Sequence, residues 1–246
     1  MQQRPHPTYQ PLNTLKPVAD DLWIVDGPII RFGAPWPKMS FPTRMTIIRA
    51  GGGLFIHSPT PLTTNLKREI EAIGQPRWIV GPNRIHHWWI PEWHTAFPGA
   101  EVYLAPRIKE QADDRIDFAC VQLDRSDGYP WDSDIATLPV SGRYMTEFVF
   151  FHRASRTLVL TDLIENFEVA KLDSITTRWL TRLGGAQHPN GSMPRDMRLT
   201  FPKPALKAAV EIMIGWRPER IVIAHGHWYE TNGTEELRRA FHWLIG

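Results

Sequence analysis

Three stretches run through β-branched and apolar residues and then close on side chains that can bind a proton or a metal. They are WIVGPNRIHH (78–87), TLVLTD (157–162) and RIVIAHGH (220–227). Imidazole and carboxylate ligate zinc, iron and manganese and also serve as general acids and bases. Each stretch alone has a plainer reading. Asp162 after a strand suits a helix cap, and His86 with His87 suits a polar turn. The shared form of strand followed by ligand argues for more, because sites in layered α/β proteins assemble from loops at strand ends.

The elements that must position these residues are legible from pattern. DLWIVDGPIIRF (21–32) and TRMTIIRAGGGLFIHSP (43–59) read as strands, with GGG as a hairpin turn because glycine tolerates positive φ. TTNLKREIEAIG (63–74) reads as an amphipathic helix capped at Thr64 or Asn65 and stopped at Gly74. The strand at 77–83 is followed by a helical region at 86–97, started afresh or kinked by Pro91. A strand at 100–106 and a short helix at 107–113 follow, and residues 121–138 read as turns. EFVFFHRASRTLVLTDLIENF (147–167) is a strand pair joined by RASR. Residues 168–204 begin helical and become a long loop that shapes a pocket. A helix at 204–216, a strand, a polar loop and a final helix complete the chain. Strands alternating with helices predict α/β layering.

Composition excludes several classes of function. A net charge of +2 with scattered basic residues argues against a nucleic-acid partner. No stretch is apolar for long enough to span a membrane, and the N-terminal residues lack the apolar core of a signal peptide. The single cysteine, Cys120, cannot form an internal disulfide and has no motif that marks a nucleophile. The expectation is a cytoplasmic protein with no membrane partner. GGG at 51–53 precedes a strand rather than a helix, so it is not a phosphate loop.

The order of these elements resembles the metallo-β-lactamase superfamily from about residue 21 to 246. GGGLFIHSP stands where that family has a glycine turn, a strand and an Asp-Thr-Gly-like end. TLVLTDL is similar to its strand ending in a metal-bridging aspartate, here Asp162, and IVIAHGH to its last metal histidine, here His225 before Gly226. The family signature His-x-His-x-Asp-His is absent. With its last position set on His87, its four ligand positions hold Pro82, Arg84, His86 and His87. Arg143, in PVSGRYM, falls on a further ligand histidine.

The resemblance implies a four-layer αββα sandwich, two mixed sheets flanked by helices, spanning 21–246 behind an N-terminal arm of residues 1–20. It implies one divalent metal, zinc foremost with iron or manganese as alternatives, held by His86, His87, Asp162 and His225. Arg84 and Arg143 would replace the other cation, since arginine stays protonated and cannot coordinate, and would bind a small anionic substrate. Trp88 would line the substrate pocket, and Asp162 and His227 would act in catalysis. His57 and Glu147 are candidates for orienting site groups. The function implied is that of a metal-dependent hydrolase. Two alternatives stay open: a metal-free binding or structural protein built on a salt-bridge network, and an iron-dependent oxidoreductase.

Overall fold

Strand pairing in a computed structural model, which describes residues 8–32, 38–172 and 174–246, divides the chain into two mixed sheets. The first contains β1 (Lys16–Ala19), β2 (Leu22–Phe32), β3 (Met39–Ala50), β4 (Gly53–His57), β5 (Pro76–Gly81), β6 (Glu101–Leu104) and β7 (Val121–Gln122), in that spatial order. Pairing is antiparallel from β1 to β4 and parallel from β4 to β7. The second sheet comprises β8 (Ile135–Ser141), β9 (Thr146–His152), β10 (Thr157–Leu160) and β11 (Arg220–Ile223) in the order β11-β10-β9-β8. Only its β10–β11 pair is parallel. Parallel strands require crossovers, and helices supply them: α1 (Thr64–Ile73) between β4 and β5, α2 (Ile90–Ala96) between β5 and β6, and α3 (Ile108–Ala112) between β6 and β7.

Alternation along the second sheet explains the layering. In β9, Phe148 and Phe150 join the core shared with the first sheet, while Val149 and Phe151 join the core under the helices. β10 and β11 divide in the same way, with Val159 and Val222 inward and Leu158, Leu160, Ile221 and Ile223 outward. The outward set is covered by Leu206, Val210 and Met213 of α6 (Lys203–Gly215) and by Leu237 and Ala240 of α7 (Gly233–Ala240), with α8 (His242–Ile245) closing the end. Between the sheets the fully buried Trp131 is met edge-on by Phe55 at 4.9 Å and by Tyr103 at 4.7 Å. This is the αββα architecture expected from the sequence.

Local signals account for most boundaries. The Thr63 side chain accepts from the Leu66 N–H to start α1, and the Gly74 N–H donates to the Ile70 carbonyl at its end. The β3–β4 turn places Gly51 at φ +50° and Gly52 at φ +77°, the pair of positive values that a two-residue hairpin needs. Pro91 lies in the first turn of α2 and starts the helix rather than kinking it.

Three strands escaped the sequence pattern. β1 lies within the segment read as an arm, whose residues 1–7 fall outside those described. β7 has two residues, both exposed. β8 occupies residues read partly as turns, and it tolerates Pro139 because it is an edge strand. The expected loop at 168–204 contains α4 (Ile175–Gly184) and α5 (Arg195–Arg198).

Candidate metal centre

The parallel pairs β4–β5 and β10–β11 bring four strand ends together. Ser58 follows β4, His86 lies beyond β5, Asp162 beyond β10 and His225 beyond β11. One side-chain ligand atom from each of His86, Asp162 and His225 lies within 4.8 Å of the others, and all three side chains are nearly buried. His86 Nε2 is 3.2 Å from Asp162 Oδ2, and His225 Nε2 is 3.3 Å from Asp162 Oδ1. The two imidazole Nε2 atoms are 3.2 Å apart.

Chemistry at the far ring nitrogens sets the tautomer. His225 Nδ1 lies 2.8 Å from the Pro42 carbonyl, which can only accept, so Nδ1 carries the proton. In neutral His225 the Nε2 lone pair then points at the Asp162 carboxylate. Three electron-pair donors converge, and they require a cation between them or an extra proton on the imidazoles. A tetrahedral zinc with ligands at about 2.0–2.2 Å separates its ligand atoms by about 3.3–3.6 Å. The two imidazole Nε2 atoms lie at about that separation, each faces a different oxygen of Asp162, and two imidazoles with one carboxylate are a suitable donor set for a divalent metal.

The loops are fixed from behind. His86 Nδ1 is 2.7 Å from the Ser58 hydroxyl, and Ser58 has φ +52°, a left-handed conformation that non-glycine residues adopt only under constraint. Asn83 is fully buried, and its amide donates to Asp162 Oδ2 at 2.5 Å and to Thr161 Oγ1 at 2.9 Å. Its oxygen accepts the Ile85 N–H, closing the turn that carries His86. Glu147 on β9 accepts the N–H groups of Thr161, Asp162 and Leu163 at 2.8, 2.9 and 3.2 Å. The neighbouring Phe148 N–H donates to the Pro82 carbonyl, so β9 holds both loops. After His225, Gly226 has φ +99°, and a Cβ there would meet the Asn166 carbonyl oxygen at 2.2 Å. Only glycine fits.

Burial and charge set the protonation states. Burial raises Asp162, but the charge of His86 and the hydrogen bonds from His225 and His86 outweigh it and hold the carboxyl well below the carboxylate range. Burial opposes charge on His225, yet the hydrogen bond and charge of Asp162 raise it overall. Burial and then the Asp162 charge push Glu147 up to about 7. Burial, followed by the carboxylates of Asp162, Asp196 and Glu147 and opposed by His225, pushes Glu165 up to about 8.

Above the centre lies a cavity of about 800 Å³ whose lining is mostly apolar. Ile30, Met39, Phe41, Ile85, Trp88, Trp89, Leu180, Leu183 and Met197 form its walls, and Ser58, His86, Asp162, Glu165 and His225 supply polar groups. The segment expected to shape a pocket does so, through α4 and residues 194–200.

The other expected site residues divide. Trp88 lines the cavity, whereas Trp93 is fully buried and its indole N–H donates to the Thr60 carbonyl. His87 lines the cavity but is not brought into the cluster of His86, Asp162 and His225. Adjacent residues in a turn project in different directions, and its ring stacks on Trp88 at 6.5 Å. Burial and then Arg115 lower it to about 4. The expectation that arginines replace a cation is corrected. Arg84 donates to Gln111 and to the Tyr144 carbonyl and lies over the Tyr144 ring. Arg143 is exposed, with its backbone N–H on the Thr200 carbonyl. Neither lines the cavity, and among the described residues the side-chain partners of Asp162 are Asn83, His86 and His225.

His227 turns toward His188, with ring centroids 4.6 Å apart, and does not line the cavity. His57 is buried against Phe150, neither ring nitrogen has a hydrogen-bond partner in another described residue, and burial, then His86, lowers it to about 3. Sequence reasoning missed Asn83, Ser58 and Glu165. Asn83 and Ser58 sit at the strand ends already singled out, so position was a usable signal. Glu165 had none.

A family model described as "Domain of unknown function (DUF4336)" matches residues 35–182, more than half of the chain. No curated protein matches. Among solved structures, the DIM-1 metallo-beta-lactamase exposed to ceftazidime is similar with a TM-score of 0.62 and 11% identity, covering 94% of this chain and 96% of that one. A metallo-beta-lactamase from Pontibacter korlensis gives 0.59 and 10%, over 94% and 98%. FIM-1 from Pseudomonas aeruginosa in its mono-zinc form gives 0.57 and 14%, over 100% of both chains. At such identities the likeness establishes the fold, which is metallo-β-lactamase-like.

Proposed function

We propose that this chain, which belongs to the family described as a domain of unknown function (DUF4336), is a hydrolase-like protein with one divalent metal held by His86, Asp162 and His225. The observation that carries the reading is the convergence of three donor atoms from separate strand ends beneath an apolar cavity. Three protein ligands with an open position is the arrangement of catalytic rather than structural zinc sites. When bound, the metal supplies a Lewis acid and a water whose pKa falls to about 7. His225 presents Nε2 because Pro42 occupies Nδ1, and Ser58 orients His86 in the same way. Glu165, which lines the cavity, is placed to exchange a proton with a substrate group bound there. The apolar walls bind the body of the substrate and exclude water.

One observation favours a second reading. Two histidines and one carboxylate are also the ligand set of non-haem iron oxygenases, so an iron-dependent oxidoreductase fits the same residues. Zinc-loaded and chelator-treated protein, assayed against a panel of esters, thioesters and phosphodiesters, tests the leading reading. It predicts hydrolysis that chelation abolishes and that Asp162→Asn reduces at least ~10³-fold. Zinc-loaded protein no faster than Asp162→Asn on every member of the panel would contradict it.

A further inference from the structure

Helix α4 is built inside out. Its buried residues are Thr177 and Thr181, while Ile175, Trp179 and Leu183 are 73%, 58% and 60% exposed. Their spacing of four places them in one outward stripe, with Leu180 beside it. A helix on a globular protein normally turns that stripe toward the core, and an exposed apolar face of this kind marks a contact surface.

Charge identifies the occupant. The segment ITTRWLTRLG contains Arg178 and Arg182 and no acidic residue. Arg182 lies over the Trp179 ring at 5.9 Å, and the adjacent α5 adds the exposed Arg195 beside Asp196, whereas Arg198 is turned onto the Met193 carbonyl and the Ser192 hydroxyl. A second copy packing on this stripe would bring guanidinium groups together with no carboxylate on the helix to offset them. Apolar side chains, a tryptophan and flanking arginines instead match a helix lying in the headgroup region of a lipid layer. Leu180 and Leu183 also line the cavity, so the stripe forms the cavity rim.

We propose that α4 is an interfacial anchor that seats the cavity mouth on an anionic phospholipid surface. The sequence expectation of no membrane partner rested on the lack of a spanning segment, and among the described residues no helix is long and apolar enough to cross. A helix lying in the interface leaves no such signal. The inference goes beyond the hydrolase reading and is independent of it, because lipid binding is read without metal or turnover.

Co-sedimentation of the full chain with vesicles tests it, comparing phosphatidylcholine alone with phosphatidylcholine plus phosphatidylserine. Wild type should pellet with the anionic vesicles, less so at high salt. The double variants Trp179→Asp/Leu183→Asp and Arg178→Ala/Arg182→Ala should each bind about tenfold more weakly or worse. Both change exposed positions and should melt as wild type does; if the aspartate pair misfolds, the arginine pair still decides. The proposal is overturned if wild type ignores anionic vesicles or if the arginine pair binds like wild type. It is equally overturned if wild type is a dimer in solution that Trp179→Asp/Leu183→Asp converts to monomer, which would make a second copy the occupant.

Discussion

The Pro42 carbonyl fixes which nitrogen of His225 faces Asp162, and the Ser58 hydroxyl does the same for His86. These contacts determine whether the cluster can hold a cation, because an imidazole that rotates freely loses both direction and basicity. Removing such a partner typically costs 10–100-fold in metal affinity. Ser58→Ala should therefore weaken metal binding by roughly tenfold without changing stoichiometry, as read by competition with a chromogenic chelator. Unchanged affinity would mean that Ser58 does not orient His86. His57 shows the opposite case: buried beside Phe150, with no other described residue bonded to either ring nitrogen, it is held neutral.

The elements explain what was legible in the sequence. Asp162 and His225 were readable because each ends an apolar strand of the parallel pair β10–β11. The hairpin at Gly51–Gly52 and the end of helix α1 at Gly74 were readable from glycine, whereas the cap expected at Thr64 or Asn65 is Thr63, because three neighbouring residues offer the same capping oxygen. β8 was hidden because an edge strand may carry proline and neighbour turns. The distinction between His86 and His87 was not legible. Side-chain direction within a turn depends on bonds such as Ile85 N–H to Asn83 Oδ1, which link residues without periodicity. The arginines were misplaced for the same reason, since matching Arg84 to a ligand position fixes its place along the chain but not that its guanidinium turns toward Gln111 and Tyr144.

Across the whole molecule, the buried titratable groups make the metal-free protein most stable in mildly acidic solution. Glu147 and Glu165 rise to about 7 and about 8 from the unfolded 4.5, so above pH 4.5 the native state holds more protons than the unfolded chain and stability falls as pH rises. His225 is also raised, and its contribution, full below 6.5, is lost in the same direction. His57 and His87 fall to about 3 and about 4 from 6.5, so their effect is lost stability as pH drops below 6.5. Asp162, depressed from 3.8, adds to that acid-side loss. The two trends oppose each other between about pH 4.5 and 6.5 and act alone outside that window. Thermal melts of chelated protein should accordingly give a broad maximum there, with Tm falling from pH 6.5 to 8. A Tm that rises from 6.5 to 8 would refute this account of the buried carboxyls.

Most direct of all is the metal content of natively purified protein, measured by mass spectrometry on wild type and single-residue variants. Wild type and His87→Ala should carry about one divalent ion per chain, while His86→Ala, Asp162→Ala and His225→Ala should carry less than ~0.2. Wild type below ~0.2 ions per chain, or Asp162→Ala loaded like wild type, would contradict a centre formed by His86, Asp162 and His225.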